Sequence, residues 1–154
     1  MAILEIRKAG DRVLKEQAAA VEKIDRKIKQ LLDNMARTMY DAEGIGLAGP
    51  QVGASLRIVV IDIGEGLIEL INPVVTEREG SECNTEGCLS IPGVFGEVER
   101  SAKVTVEGLS REGKKQCIKA TGMLARALQH EIDHLDGVLF IERAKTIYTG
   151  RKNG

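Results

Sequence analysis

The chain has 154 residues and 43% hydrophobic content, with 22 Lys plus Arg against 23 Asp plus Glu and a net charge of −1. This size and composition suit a single domain over residues 1–154, and the even charge removes any electrostatic case for nucleic acid or an anionic membrane as the main partner. No run approaches the ~18 apolar residues of a membrane-spanning helix, and MAILEIRKAGDRVL lacks the apolar stretch of a secretory signal. With no framework spacing among Cys83, Cys88 and Cys117, a reducing, cytoplasmic setting is expected.

In chain order, DRKIKQLLDNMARTMYDA (25–42) is predicted to be an amphipathic helix. Ile28, Leu31, Leu32, Met35 and Met39 share one stripe, Asp25 can cap the start and Gly44 can stop it. GIGLAGPQVG (44–53) reads as a shaped loop. LRIVVIDI (56–63) and LIELINPVV (67–75) read as strands. EGSECNTEGCLSIPGVFGE (79–97) reads as loop with short extended pieces. Residues 103–109 and 114–120 form a hairpin through SREG. A helix follows from Gly122 to Asp136, with Thr121 as N-cap and Gly137 as C-cap. VLFIERA reads as a last short strand, and residues 145–154 as a frayed polar tail. The order predicts an α+β fold, with mixed or antiparallel strands around the late helix.

Both histidines lie in LARALQHEIDHLDGVLF (124–140). At about 100° per residue, His134 falls about 40° from His130, and Glu131 about 100° from it. The histidines therefore edge the apolar stripe formed by Leu124, Ala127, Leu128, Ile132 and Leu135, and Glu131 lies within it. Arg126, Gln129, Asp133 and Asp136 occupy the opposite face. A carboxylate in an apolar stripe is costly without a charged or hydrogen-bonding partner. His-Glu-x-x-His at this spacing aims two imidazoles at one metal ion and sets the glutamate beside it as general base.

A catalytic site of this type takes a third protein ligand. The chain has no third histidine, Phe140 stands where a metzincin would place one, and Glu142 is too close in sequence to fold back. The remaining candidates are distant, and Cys88, held between Gly87 and Pro92 in EGCLSIPG, is favoured over the polar Cys83 and over Cys117, which reads as a small buried strand residue. GIGLAG also satisfies a dinucleotide-binding glycine pattern, but a helix precedes it and Pro50 and a strand follow, the reverse of what pyrophosphate binding needs.

GIGLAGPQ (44–51), EGCLS (86–90) and QHEIDHLDG (129–137), in this order, resemble the three signature segments of the peptide deformylases, and the similarity runs from about Ile3 to about Ala144. The resemblance implies metal ligands at Cys88, His130 and His134, Glu131 as acid and base, and Gln51 with the Leu89 N–H as holders of the carbonyl oxygen. It implies hydrolysis of the formyl group from N-formyl-methionyl nascent chains, with formate released, near the ribosome exit region. Its usual metal is ferrous iron, replaceable by zinc, nickel or cobalt; a thiolate with two imidazoles suits both iron and zinc. Gly46 offers a backbone amide to the peptide. Ile45, Met123, Leu124 and Ala127 are expected to wall a methionine pocket, with Phe95 at its border. The peptide would lie as an added strand beside residues 44–46 and 93–96. Three departures stand out: Gly49 replaces an alanine, which loosens the loop, and Arg12 and Ser101 stand where proline is common. After Ala144 no long C-terminal helix like that of many bacterial members is expected in this sequence. Rival readings are a general metallopeptidase, or a non-catalytic module with Cys83 closing a four-ligand site.

Overall fold

The computed structural model describes residues 2–150. Its elements are α1 (Arg26–Asp41), β1 (Gly46–Ala48), β2 (Ile58–Ile61), β3 (Ile68–Glu79), β4 (Glu82–Cys88), β5 (Ile91–Arg100), β6 (Lys103–Leu109), β7 (Lys115–Thr121), α2 (Gly122–Leu135) and β8 (Ala144–Thr149). The named strands pair antiparallel throughout, in a five-stranded sheet ordered β1-β2-β3-β6-β7 and a three-stranded sheet ordered β4-β5-β8. The architecture is α+β, as the element pattern predicts.

The larger sheet is covered on both faces, and strand alternation divides its side chains between the two helices. Ile58 and Val60 of β2 join Leu32, Met35 and Met39 of α1. Val59 and Ile61 face the other way, toward Leu128, Ile132 and Leu135 of α2. All four β2 residues are buried, which is why this strand reads as an unbroken apolar run. Asp25 caps α1 by accepting from the Ile28 N–H. Thr121 stands at the N-cap of α2, but its side chain makes no capping hydrogen bond.

Several segments differ from the sequence reading. The stretch 79–97 is a long β4–β5 hairpin rather than loop. Its Glu, Asn and Gly content gives weak strand propensity, and β4 turns mostly exposed residues outward, so cross-strand pairing rather than propensity makes the element. Part of the 44–53 loop is ordered as β1 and a 3-10 turn at Gly49–Val52. VLFIERA is not a strand; Phe140–Glu142 is a 3-10 turn. The expected frayed tail is instead β8 as far as Thr149, because its backbone pairs with the β5 edge from Val94 to Val98. Residues 151–154 lie outside the described residues. A third apolar cluster, with Leu14, Ile91, Val98, Leu139 and Phe140, fills the inner face of the small sheet.

Candidate metal centre and cleft

α2 lies between the two sheets, and this explains the largest departure from the helical wheel. Arg126 and Gln129, expected on a solvent face, are buried like the residues opposite them. Gln129 bonds the Ser101 backbone in both directions. Arg126 reaches out of the helix to Glu86 and to the carbonyls of Val98 and Glu82. So the helix is anchored to one sheet by apolar side chains and to the other by polar ones.

Cys88 ends β4, and the small sheet carries it to the middle of α2. The sulfur of Cys88 and one ring nitrogen from each of His130 and His134 lie within 4.8 Å of one another; Cys88 Sγ and His134 Nε2 are 3.3 Å apart. Both histidines are buried. The other cysteines stay away: Cys83 and Cys117 are exposed. Cys117 was expected to be a buried strand residue, but it falls on the outward face of β7, the edge of the large sheet. Asp133 faces Arg100 and Arg143, not the donor cluster.

His130 is oriented from behind by a residue that the sequence reading did not single out. Its Nδ1–H donates to Glu86 Oε1 at 2.9 Å, which leaves Nε2 free to face the cluster. Glu86 in turn accepts from Arg100 Nε at 2.5 Å, Arg100 Nη2 at 2.8 Å and Arg126 Nη1 at 2.5 Å. Burial alone would raise this carboxyl, but the bonds from Arg100 and His130 outweigh it and bring it down to about 2. The available signal was Glu86 itself, an acid two residues before Cys88 and so on the same face of an extended segment.

The donor set fits a divalent cation. Burial disfavours charge on His130, yet Cys88 and Glu86 pull it up to about 10, so the cluster calls for a positive charge. His134 is pushed well below its ordinary value by burial and by the positive charges on His130 and Arg100. Thiolate with two imidazoles is a set that holds iron(II) or zinc and leaves a position for solvent. Glu131 gives a second sign: its Oε1 is buried and has no hydrogen-bond partner among the described residues, and burial raises the group to about 7. Gly46 is what lets it sit there, since a Cβ at that position would come within 2.5 Å of Glu131 Oε2.

Gln51 is buried and its amide is held in one sense. Its Oε1 accepts from the Ala48 N–H at 2.9 Å, so Nε2 points to Ser90 Oγ at 3.2 Å and to Cys88 Sγ at 3.5 Å. Leu89 lies in the turn after Cys88, with its side chain packed over Gly44. A cleft of about 480 Å³ opens in front of these groups, bordered by Ile45, Gly46, Phe95, Met123 and Ala127 among others. Leu124 is not at the cleft; it packs against the core under the large sheet.

The family profile described as Polypeptide deformylase matches residues 3–149. The chain belongs to this family. Its members are metal-dependent hydrolases that take the N-formyl group off nascent polypeptides. The peptide deformylase of Pelotomaculum thermopropionicum is 60% identical over 147 residues, covering 96% of this chain and 95% of the relative. That of Desulfitobacterium hafniense is 57% identical over 145 residues, covering 94% and 97%. Among solved structures, the crystal structure of peptide deformylase from Thermotoga maritima superposes with a TM-score of 0.92 at 42% identity, covering 94% of this chain and 99% of that one. Against this deformylase frame, Gly49 does not loosen its loop. It is buried, and a Cβ there would come within 2.6 Å of the Leu56 carbonyl and 2.7 Å of the Ala54 carbonyl.

Proposed function

We propose that this chain, as a single domain over residues 1–154, hydrolyses the formyl group from N-formyl-methionyl peptides through Cys88, His130, His134, Glu131, Gln51 and Leu89. The observation that carries the reading is the cluster of the half-buried Cys88 sulfur with two buried imidazoles, beside a Glu131 oxygen that has no hydrogen-bond partner among the described residues. A divalent cation held by Cys88, His130 and His134 would supply Lewis acidity and make water a nucleophile near neutral pH. Glu131 accepts the proton of the attacking water as oxygen adds to the formyl carbon. The Gln51 Nε2–H and the Leu89 N–H face the oxygen on which negative charge develops. Glu131 then delivers its proton to the leaving nitrogen, the C–N bond breaks, and formate and a free amine separate.

The methionine side chain enters among Ile45, Met123 and Ala127, with Phe95 at the border; Leu124, set in the core, is left out of this wall. Gly46 offers backbone to the peptide, but residues 93–96 do not form the second docking edge expected. β5 is paired by β4 on one side and β8 on the other, so of the strands that end the two sheets, β1 and β4, which carry cleft residues, are the edges that can accept a strand there. Ferrous iron is the proposed metal, on the family's habit; the ligand set equally suits zinc, and nickel or cobalt would substitute. The work place is the cytoplasm, on chains leaving the ribosome exit region, where formyl-methionyl termini arise. Among the described residues no helix is long and apolar enough to cross a membrane. The test is formate release from a formyl-Met peptide by anaerobically purified protein, with metal analysis alongside. Peptide-bond cleavage without formate would replace this reading with a general metallopeptidase.

A further inference from the structure

The cleft grades from a buried floor to an open rim. Gly46, Glu86, Arg126, Ala127 and His130 are buried, whereas Gly93 and Gly150 are exposed and Phe95 is half-buried. A first side chain that fills the floor leaves the rest of a peptide to cross the rim, past Phe95. What holds Phe95 there comes from the last strand. Phe95 and Tyr148 are direct partners across β5 and β8. Their rings stack with centroids 6.3 Å apart and planes 30° apart. The Tyr148 hydroxyl donates to Glu97 Oε2 at 3.1 Å and lies 3.4 Å from Thr85 Oγ1, and the Thr85 hydroxyl donates to the same Glu97 oxygen at 2.6 Å. All three strands of the small sheet thus fix the tyrosine. On its far side the Phe95 ring presses on Gly87, where a Cβ would come within 3.0 Å of it. The Gly150 N–H, donating to the Gly93 carbonyl at 3.1 Å, closes the strand end against the same rim.

We propose that Tyr148 is a positioning residue for substrate selection: by stacking behind Phe95 it sets the grip on the peptide beyond its first residue. This rests on the deformylase reading above and adds to it. Tyr148 is 42% exposed and is not among the residues that border the cleft, so it neither fills the core nor touches substrate. With the partner ring gone, Phe95 has an open flank and loses the one orientation that meets a passing chain.

The test uses the metal-loaded full chain, with Tyr148→Ala and Tyr148→Phe compared on two substrates. Formyl-methionine amide ends within the cleft; a formyl-Met tripeptide must cross the rim. Tyr148→Ala raises KM for the tripeptide about fivefold, the equivalent of a stacked pair of about 1 kcal/mol. It leaves KM for the amide, kcat for both and metal content within about twofold. Tyr148→Phe keeps the ring and returns the tripeptide KM to within about twofold of the unaltered protein. Equal KM changes on both substrates, a fall in kcat or metal content, or no change at all would each overturn the proposal. If the unaltered chain releases no formate from either substrate, the underlying reading fails instead, and that is seen before any variant is compared.

Discussion

Replacing Glu86 by Gln keeps the shape of the side chain and removes its charge, in a place where the charge has four uses. The carboxylate accepts two bonds from Arg100, one from Arg126 and one from His130, with its side chain 5% exposed. An amide accepts through one oxygen only. Its NH₂ must then face a guanidinium or the His130 N–H, donor against donor. Arg100 keeps Asp133 as a partner, but Arg126 is left with the carbonyls of Val98 and Glu82. Removing one member of a buried ion pair costs about 3–5 kcal/mol. In a chain of this size each kcal/mol lowers Tm by about 2–4 °C, so the expected fall is on the order of 10 °C. Thermal unfolding followed by circular dichroism, on metal-free protein, isolates this effect from metal binding. The same variant, loaded with metal, should bind it about 10- to 100-fold more weakly, because the imidazole loses its orienting acceptor. A Tm within about 2 °C of the unaltered protein, together with unchanged metal affinity, would refute the assignment of Glu86 as the residue that ties α2 to the small sheet.

Glu131→Gln is expected to lower kcat by about 10²–10⁴-fold while metal content holds; near-normal turnover in a formate assay would remove Glu131 as the proton carrier. Cys88→Ser should strip most of the metal on dialysis, read by elemental analysis, whereas Cys83→Ser, far from the cluster, should leave it in place. Gly137→Ala should destabilise by about 2–4 kcal/mol in a denaturant titration. Its φ of 75° disfavours a side chain, and a Cβ there would come within 2.5 Å of the Lys15 carbonyl.

The helical part of the site was legible in the sequence because periodicity carries it. His130, His134 and Glu131 have the spacing that one buried face of a helix requires, and α1 and α2 begin and end within a residue of their predicted bounds. Cys88 was legible as a shaped thiol next to a vacant ligand position. The polar half of α2 was not. A wheel with Arg126, Gln129 and Asp133 on one side reads as a solvent face, and only the second sheet, packed against that side, makes Arg126 and Gln129 buried partners. The second sheet was itself hidden, because β4 and β8 are exposed strands with little alternation and their existence depends on pairing with β5. Leu124 was misassigned for a related reason: it shares a stripe with Ala127, but the stripe is wider than the cleft, and position 124 falls on the part that meets the core.

The donor cluster straddles a seam. Cys88 belongs to the small sheet, whereas the imidazoles belong to a helix whose apolar side chains pack on the large one. An ion gripped from both sides would act as a rivet, so loss of catalysis and loss of mechanical cohesion should share one cause. At a free ion concentration 100 times its dissociation constant, the rivet adds about 2.7 kcal/mol to stability. Oxidative damage to the thiolate would then show up as a protein that melts early, even before any substrate is offered.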